Sequence, residues 1–140
     1  MSFDEALLRR AIGLAAGAVE QGHAPYGSLL AGPDGTVLAE EINTTVADRD
    51  ITAHPELKLA RWAARELEAD VAARTTMYTS CQPCGMCYGA IQRSGLGRVV
   101  FALATEQLGE LVPGSGWPQV EQDGPHLFDE VRVLFDGVTH

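Results

Sequence analysis

Two short motifs in this chain carry groups that do chemistry. They are His54-Pro55-Glu56 and, about thirty residues further on, Pro83-Cys84-Gly85-Met86-Cys87. Together they offer three zinc ligands, His54, Cys84 and Cys87, and one carboxylate, Glu56, that a metal does not need. Three protein ligands and one position left for water are the inventory of an open, catalytic Zn²⁺ site. Zinc lowers the pKa of a bound water from about 15.7 to about 7, so such a site makes a nucleophile at neutral pH without a strong base. Two thiolates and a neutral imidazole balance the charge of the ion. Residues i and i+2 of a helix point about 200° apart, which turns Glu56 away from the metal that His54 would hold. Glu56 then faces the water and the substrate, the place of a proton shuttle.

Rival readings use the same residues. A C-x-x-C alone is also a structural zinc or redox pattern. Cys81 could complete a closed Cys₃His site with no open position, but that arrangement leaves Glu56 without a task. H-x-E and P-C-x-x-C at two separate predicted helix starts favour the open site.

The elements that must position these residues read as alternating helices and strands. Asp4 to Gln21 carries Leu7, Leu8, Ala11, Ile12, Ala15 and Val19 at helical spacing, with Ser2 as N-cap and Gly22 as stop. Pro25 to Ala31 reads as a buried strand, Pro33-Asp34-Gly35 as a turn, and Thr36 to Ala39 as the second strand of a hairpin. Asn43 to Thr52 reads as a polar loop. The helical pattern returns from Pro55 to Leu67, with proline in the first turn where its missing N–H costs nothing. Thr76 to Thr79 is a short strand, Cys84 to Ser94 a helix closed by Gly95 and Gly97, and Arg98 to Ala102 another strand. Pro113 to Pro118 is a loop and Glu130 to Phe135 a last strand. This order predicts an α/β fold, a three-layer α/β/α sandwich around a mixed sheet of about five strands. One domain is expected over residues 1–140, with 106–140 as a variable C-terminal segment.

Composition narrows the class. The chain has 140 residues, 46% of them hydrophobic, enough for a single core. Its net charge is −9, and its ten basic residues are scattered and include only Lys58 as a lysine. A protein that grips a polyanion needs a basic patch, so nucleic acid is not an expected partner and a small substrate is. No apolar run approaches a membrane span, the N-terminus lacks the basic region of a signal peptide, and three cysteines with C-x-x-C spacing suit a reducing compartment. A cytoplasmic location is expected.

At these motifs the chain resembles the cytidine deaminase-like superfamily. Within it, the chain is similar to the branch of guanine deaminases, cytosine deaminases and tRNA adenosine deaminases. Thr52-Ala53-His54 with Glu56 is similar to the T-A-H-A-E of that branch. Tyr78-Thr79-Ser80-Cys81-Gln82-Pro83-Cys84-Gly85-Met86-Cys87 is similar to the Y-T-S-C-E-P-C-P-M-C of guanine deaminases. The resemblance implies that Cys81 is not a ligand. It implies that Asn43, eleven residues before His54, hydrogen-bonds the substrate through its amide. Thr44 and Thr45 carry no separate signal. It also implies that Tyr26 lines the pocket, that Trp117 comes from a segment closing over the site, and that the protein is a homodimer.

Two departures bear on substrate. Relatives place Ala or Gly between His and Glu and aim its N–H at the base, whereas Pro55 has no N–H. An acceptor left unpaired there costs about 1–3 kcal/mol, so the substrate is expected to differ from the standard base. The acidic residue that guanine deaminases carry near the C-terminus has no clear counterpart; Glu106 and Glu110 are the nearest candidates, and both read better as a solvated helix face. The expected activity is zinc-dependent hydrolytic removal of the exocyclic amine of a free heteroaromatic base, a cytosine-like ring or an aminotriazine such as ammeline or azacytosine. The alternatives are a guanine deaminase, then a tRNA adenosine deaminase, and, outside catalysis, a zinc-stabilised binding module. Glu56 separates the last from the others, because a decayed site has little reason to keep a carboxylate there.

Overall fold

The computed structural model describes residues 2–139. Helix α1, Glu5–Glu20, is followed by strands β1, Gly27–Ala31, and β2, Val37–Ile42, then a short helix α2, Thr45–Asp48. Helices α3, Pro55–Glu66, and α4, Ala69–Ala73, precede β3, Thr76–Cys81. Helix α5, Gly85–Ser94, leads to β4, Arg98–Leu103, and then to α6, Thr105–Leu111. A helix α7, Phe128–Arg132, runs into a 3₁₀ turn at Val133–Phe135.

Among the described residues the sheet has four strands in the order β2-β1-β3-β4. β1 is antiparallel to both β2 and β3, while β3 and β4 are parallel. The parallel pair requires a crossover, and α5 supplies it. Adjacent residues of β1 divide between the two faces. Leu30 packs with Met77 of β3 and with Leu59, Ala60, Ala63 and Ile91 from α3 and α5. Leu29 packs with Tyr78 of β3 and with Ala11 of α1. Helices thus cover both faces, which gives the expected three layers. All five residues of β1 are buried, as a central strand between two helical layers must be.

α1 is fixed at both ends. Asp4 rather than Ser2 caps it, its carboxylate accepting from the N–H groups of Ala6 at 3.0 Å and Leu7 at 3.3 Å. The charged acceptor also suits the positive end of the helix dipole. The Tyr78 hydroxyl accepts from the Asp4 N–H at 3.0 Å and ties this start to β3.

Two further expectations are corrected. The sheet has four strands, not five, because residues 130–135 are helical. Their strand-like alternation finds no ladder to join, so the segment closes its own backbone hydrogen bonds locally. Asp129 and Glu130 in the first turn favour the helix through its dipole. The loop between Asn43 and Thr52 contains α2, and the short helices α4 and α6 add to the expected set.

Gly27 shows how closely α1 lies on the sheet. A Cβ there would sit 2.6 Å from both the Leu14 Cβ and the Ala15 nitrogen. Gly27→Ala is expected to lower unfolding stability by about 2–3 kcal/mol through overpacking. Gly13→Ala, at a helix position where a Cβ meets nothing within 4 Å, is expected to raise it by about 0.5–1 kcal/mol. Urea denaturation midpoints check the pair. Equal effects would contradict the packing described.

Candidate active site

Two helices deliver the metal-type ligands. His54 is the N-cap of α3 and Cys84 the N-cap of α5, and Cys87 sits in the first turn of α5. α3 and α5 pack against each other on one face of the sheet, so their N-termini meet. Pro55 occupies the first position of α3, where the helix has no N–H to satisfy, and Glu56 follows it.

The three ligand atoms, one from each residue, lie within 4.8 Å of one another. His54 Nδ1 is 3.8 Å from Cys84 Sγ and 3.4 Å from Cys87 Sγ. Zinc bonds of about 2.3 Å to sulfur and 2.0–2.1 Å to nitrogen, spread at the tetrahedral angle, place nitrogen and sulfur about 3.6 Å apart. The donor set and its spacing therefore fit a zinc ion. Cys81 is buried at the end of β3 and does not belong to this trio, so the closed Cys₃His arrangement is not formed.

The electrostatics point the same way. The hydrogen bond from Cys87, followed by that from His54, pulls the Cys84 thiol down to about 4. Cys87 is pushed up by its hydrogen bond to Cys84 and by burial. The N–H groups of Leu57 and Cys87 favour thiolate at Cys87 and Cys84 respectively. A cation among these groups lets both sulfurs ionise. His54 is raised, first by its hydrogen bond with Cys84.

Glu56 lies beside the trio and is 6% exposed. Burial pushes its carboxyl up to about 7. A carboxyl with a pKa near neutral both takes and returns a proton at physiological pH. Glu56 faces a pocket of about 230 Å³ that also contains Asn43, Tyr26, Pro55 and Trp117. The structure thus gathers every expected site residue at one place. Burial raises the Tyr26 hydroxyl pKa. The Trp117 ring stands 6.4 Å from the His54 ring, on the loop that follows α6.

Residues 1–103 match the cytidine and deoxycytidylate deaminase zinc-binding region. The chain belongs to that family. It is 34% identical to a probable cytosine deaminase of Schizosaccharomyces pombe over 98% of this chain and 79% of that one. It is 30% identical to the tRNA-specific adenosine deaminase of Haemophilus influenzae over 94% of this chain and 70% of that one. Its fold is similar to the structure of guanine deaminase from Bacillus subtilis, with a TM-score of 0.76, 25% identity, and coverage of 97% of this chain and 94% of that one. The family is thus that of deaminases, hydrolases of C–N bonds, and three substrate classes stand among the relatives. Among the described residues no helix of this deaminase is long and apolar enough to cross a membrane.

The deaminase pocket has wall residues that were not foreseen in the sequence, Leu108, Ser115 and Thr45 among them. Leu108 comes from α6, whose start is held by the Gln82 side chain accepting from the Thr105 N–H at 3.0 Å. Ser115 comes from the loop that carries Trp117, and Thr45 from α2. Glu106 and Glu110 are exposed on α6 and do not line the pocket, so neither is placed to act there.

Metal analysis of the purified deaminase checks the ligand set. Wild type, Cys81→Ser and Glu56→Gln are expected to hold about one zinc per chain, whereas His54→Ala, Cys84→Ala and Cys87→Ala lose most of it. Loss of zinc in Cys81→Ser would contradict the assignment.

Proposed function

We propose that the protein is a zinc-dependent hydrolytic deaminase of a free heteroaromatic base, a cytosine-like or aminotriazine ring. The observation that carries this reading is Glu56, a carboxyl buried in a pocket of base-sized volume beside the metal-type trio, with its pKa raised by that burial. A zinc ion held by His54, Cys84 and Cys87 supplies Lewis acidity that brings water within reach of deprotonation at neutral pH. Glu56 takes a proton from the attacking water and delivers it to the ring nitrogen next to the amine-bearing carbon. A C–O bond forms at that carbon. Glu56 then moves the remaining hydroxyl proton to the amine, the C–N bond breaks, and ammonia leaves a ring carbonyl behind. Asn43 holds the ring by its amide, Tyr26 bounds the pocket, and Trp117 closes it from the loop after α6.

Size and charge support a free base. Drug-sized ligands occupy pockets of about 300–1,000 Å³, and this one is about 230 Å³. The net charge of −9 disfavours a polynucleotide. Pro55 is buried in the wall and offers no N–H to the ring, which supports a substrate other than guanine. The fold likeness to the Bacillus subtilis guanine deaminase supports guanine as the second reading. A tRNA adenosine deaminase comes third, and a zinc-stabilised module without catalysis last.

The unit is read as residues 1–140 in the cytoplasm, with 106–140 a variable segment attached to the deaminase core. We also read it as a homodimer. Phe128, Leu134 and Phe135 are 66%, 73% and 58% exposed, an apolar tail that its own chain does not cover. β4 forms an edge of the sheet, and a groove of about 530 Å³ beside it is lined by Tyr88, Ile91, Val99 and Phe101. Light scattering at micromolar concentration should give twice the chain mass. A single-chain mass would remove the dimer from this reading.

Ammonia release from cytosine, guanine, adenine, their nucleosides, ammeline and azacytosine tests the activity. The expected result is turnover of a cytosine-like or triazine base above guanine and above every nucleoside. Glu56→Gln should lose about 10²–10⁴-fold with its zinc retained. If neither protein releases ammonia while both hold zinc, the binding module is the correct reading.

A further inference from the structure

Asn43 is the only asparagine of the chain, and its amide is held in one direction. Its Oδ1 accepts from the Thr45 N–H at 3.1 Å and from the Thr45 hydroxyl at 2.9 Å. A backbone N–H only donates, so the oxygen of the amide, and not its nitrogen, must face Thr45. The flanking backbone is anchored too. The Asn43 N–H donates to the Tyr26 carbonyl and the Thr44 N–H to the Ala53 carbonyl, each at 3.1 Å. Lys58 donates to the Thr44 hydroxyl at 3.0 Å and pairs with Glu41 at 2.9 Å, which holds this turn to α3 and β2.

The amide nitrogen is the free end. Among the described residues Nδ2 makes no hydrogen bond within the chain, yet no fully buried side-chain nitrogen or oxygen lacks a partner. Nδ2 therefore keeps contact with open space. Asn43 is 5% exposed, and it lines the pocket that holds Glu56.

We propose that Thr45 is a positioning residue that fixes the Asn43 amide, so that this wall presents a hydrogen-bond donor and selects rings carrying an acceptor opposite it. The acceptor is a carbonyl oxygen or an unprotonated ring nitrogen. The proposal rests on the reading of this pocket as the substrate site. With the amide free to turn, the wall would satisfy ring N–H groups and ring carbonyls alike, and discrimination between them would fall. Two donors on one oxygen oppose that turn, because turning sets an NH₂ group against the obligate donor of Thr45.

The test has two arms on the zinc-loaded protein. The first needs no substrate. A through-hydrogen-bond scalar coupling between the Thr45 amide ¹⁵N and the Asn43 ¹³Cγ reports the direction of the amide, and it should be present. The second compares Thr45→Val with Thr45→Ser on whichever ring the wild type hydrolyses. Thr45→Val removes one hydrogen bond and should lower kcat/KM about 3- to 10-fold, carried by KM with kcat within about twofold, and Thr45→Ser should restore wild-type KM. Absence of the coupling overturns the proposal, and so does a wild-type KM in Thr45→Val. Equal damage in both variants with loss of zinc overturns it as well, since that marks a purely structural role. If the wild type hydrolyses no ring, the proposed activity fails, and the coupling alone then decides whether this wall is a donor.

Discussion

His54 Nδ1, Cys84 Sγ and Cys87 Sγ lie within 4.8 Å of one another, and for that to hold two helices must begin at one point. Much of the fold serves this meeting. β3 ends at Cys81 and turns through Gln82 and Pro83 to the N-cap of α5. The turn after β2 passes through α2 and reaches the N-cap of α3 at His54. The common core of Leu30, Met77, Leu59, Ala60 and Ile91 presses both helices on one sheet face. Burial of that core, and not any single polar contact, sets the distance between the ligands. N–H groups at the helix N-termini also favour thiolate, adding to the lowering of Cys84 and opposing the hydrogen bond to Cys84 and the burial that raise Cys87.

The same geometry gives Glu56 its character. As the second residue of α3 it is carried into the interior along with the ligand it follows. Burial raises it to about 7, where a surface glutamate would titrate near about 4.3. Its buried position disfavours charge. A buried acid with a raised pKa beside a metal-type trio is the pattern of a site that performs chemistry.

The metal-type trio and Glu56 were legible in the sequence because residue type and spacing constrain them strongly, whereas Asn43 was reached through the family resemblance. Zinc has few ligand types, and two motifs at helix starts leave few arrangements. α1 and α3 were legible from apolar periodicity over several turns, and α5 from the glycines that close it, Gly95 and Gly97. α2, α4 and α6 were not, since helices of 4, 5 and 7 residues show too few turns for a period to register. Glu130 to Phe135 misled because Val131, Val133 and Phe135 alternate as in a strand, while the pairing partner a strand requires lies elsewhere in the fold. The role of Thr45 was hidden for another reason. It depends on which way one amide points, and that follows from the backbone path after β2, not from residue type.

Zinc K-edge X-ray absorption of the zinc-loaded protein tests the central claim most directly. The account predicts two sulfur neighbours at about 2.3 Å and two nitrogen or oxygen neighbours at about 2.0–2.1 Å, namely Cys84, Cys87, His54 and one exchangeable ligand. A shell of three sulfurs and one nitrogen would contradict it, because Cys81 would then close the site and leave Glu56 with no water to act on.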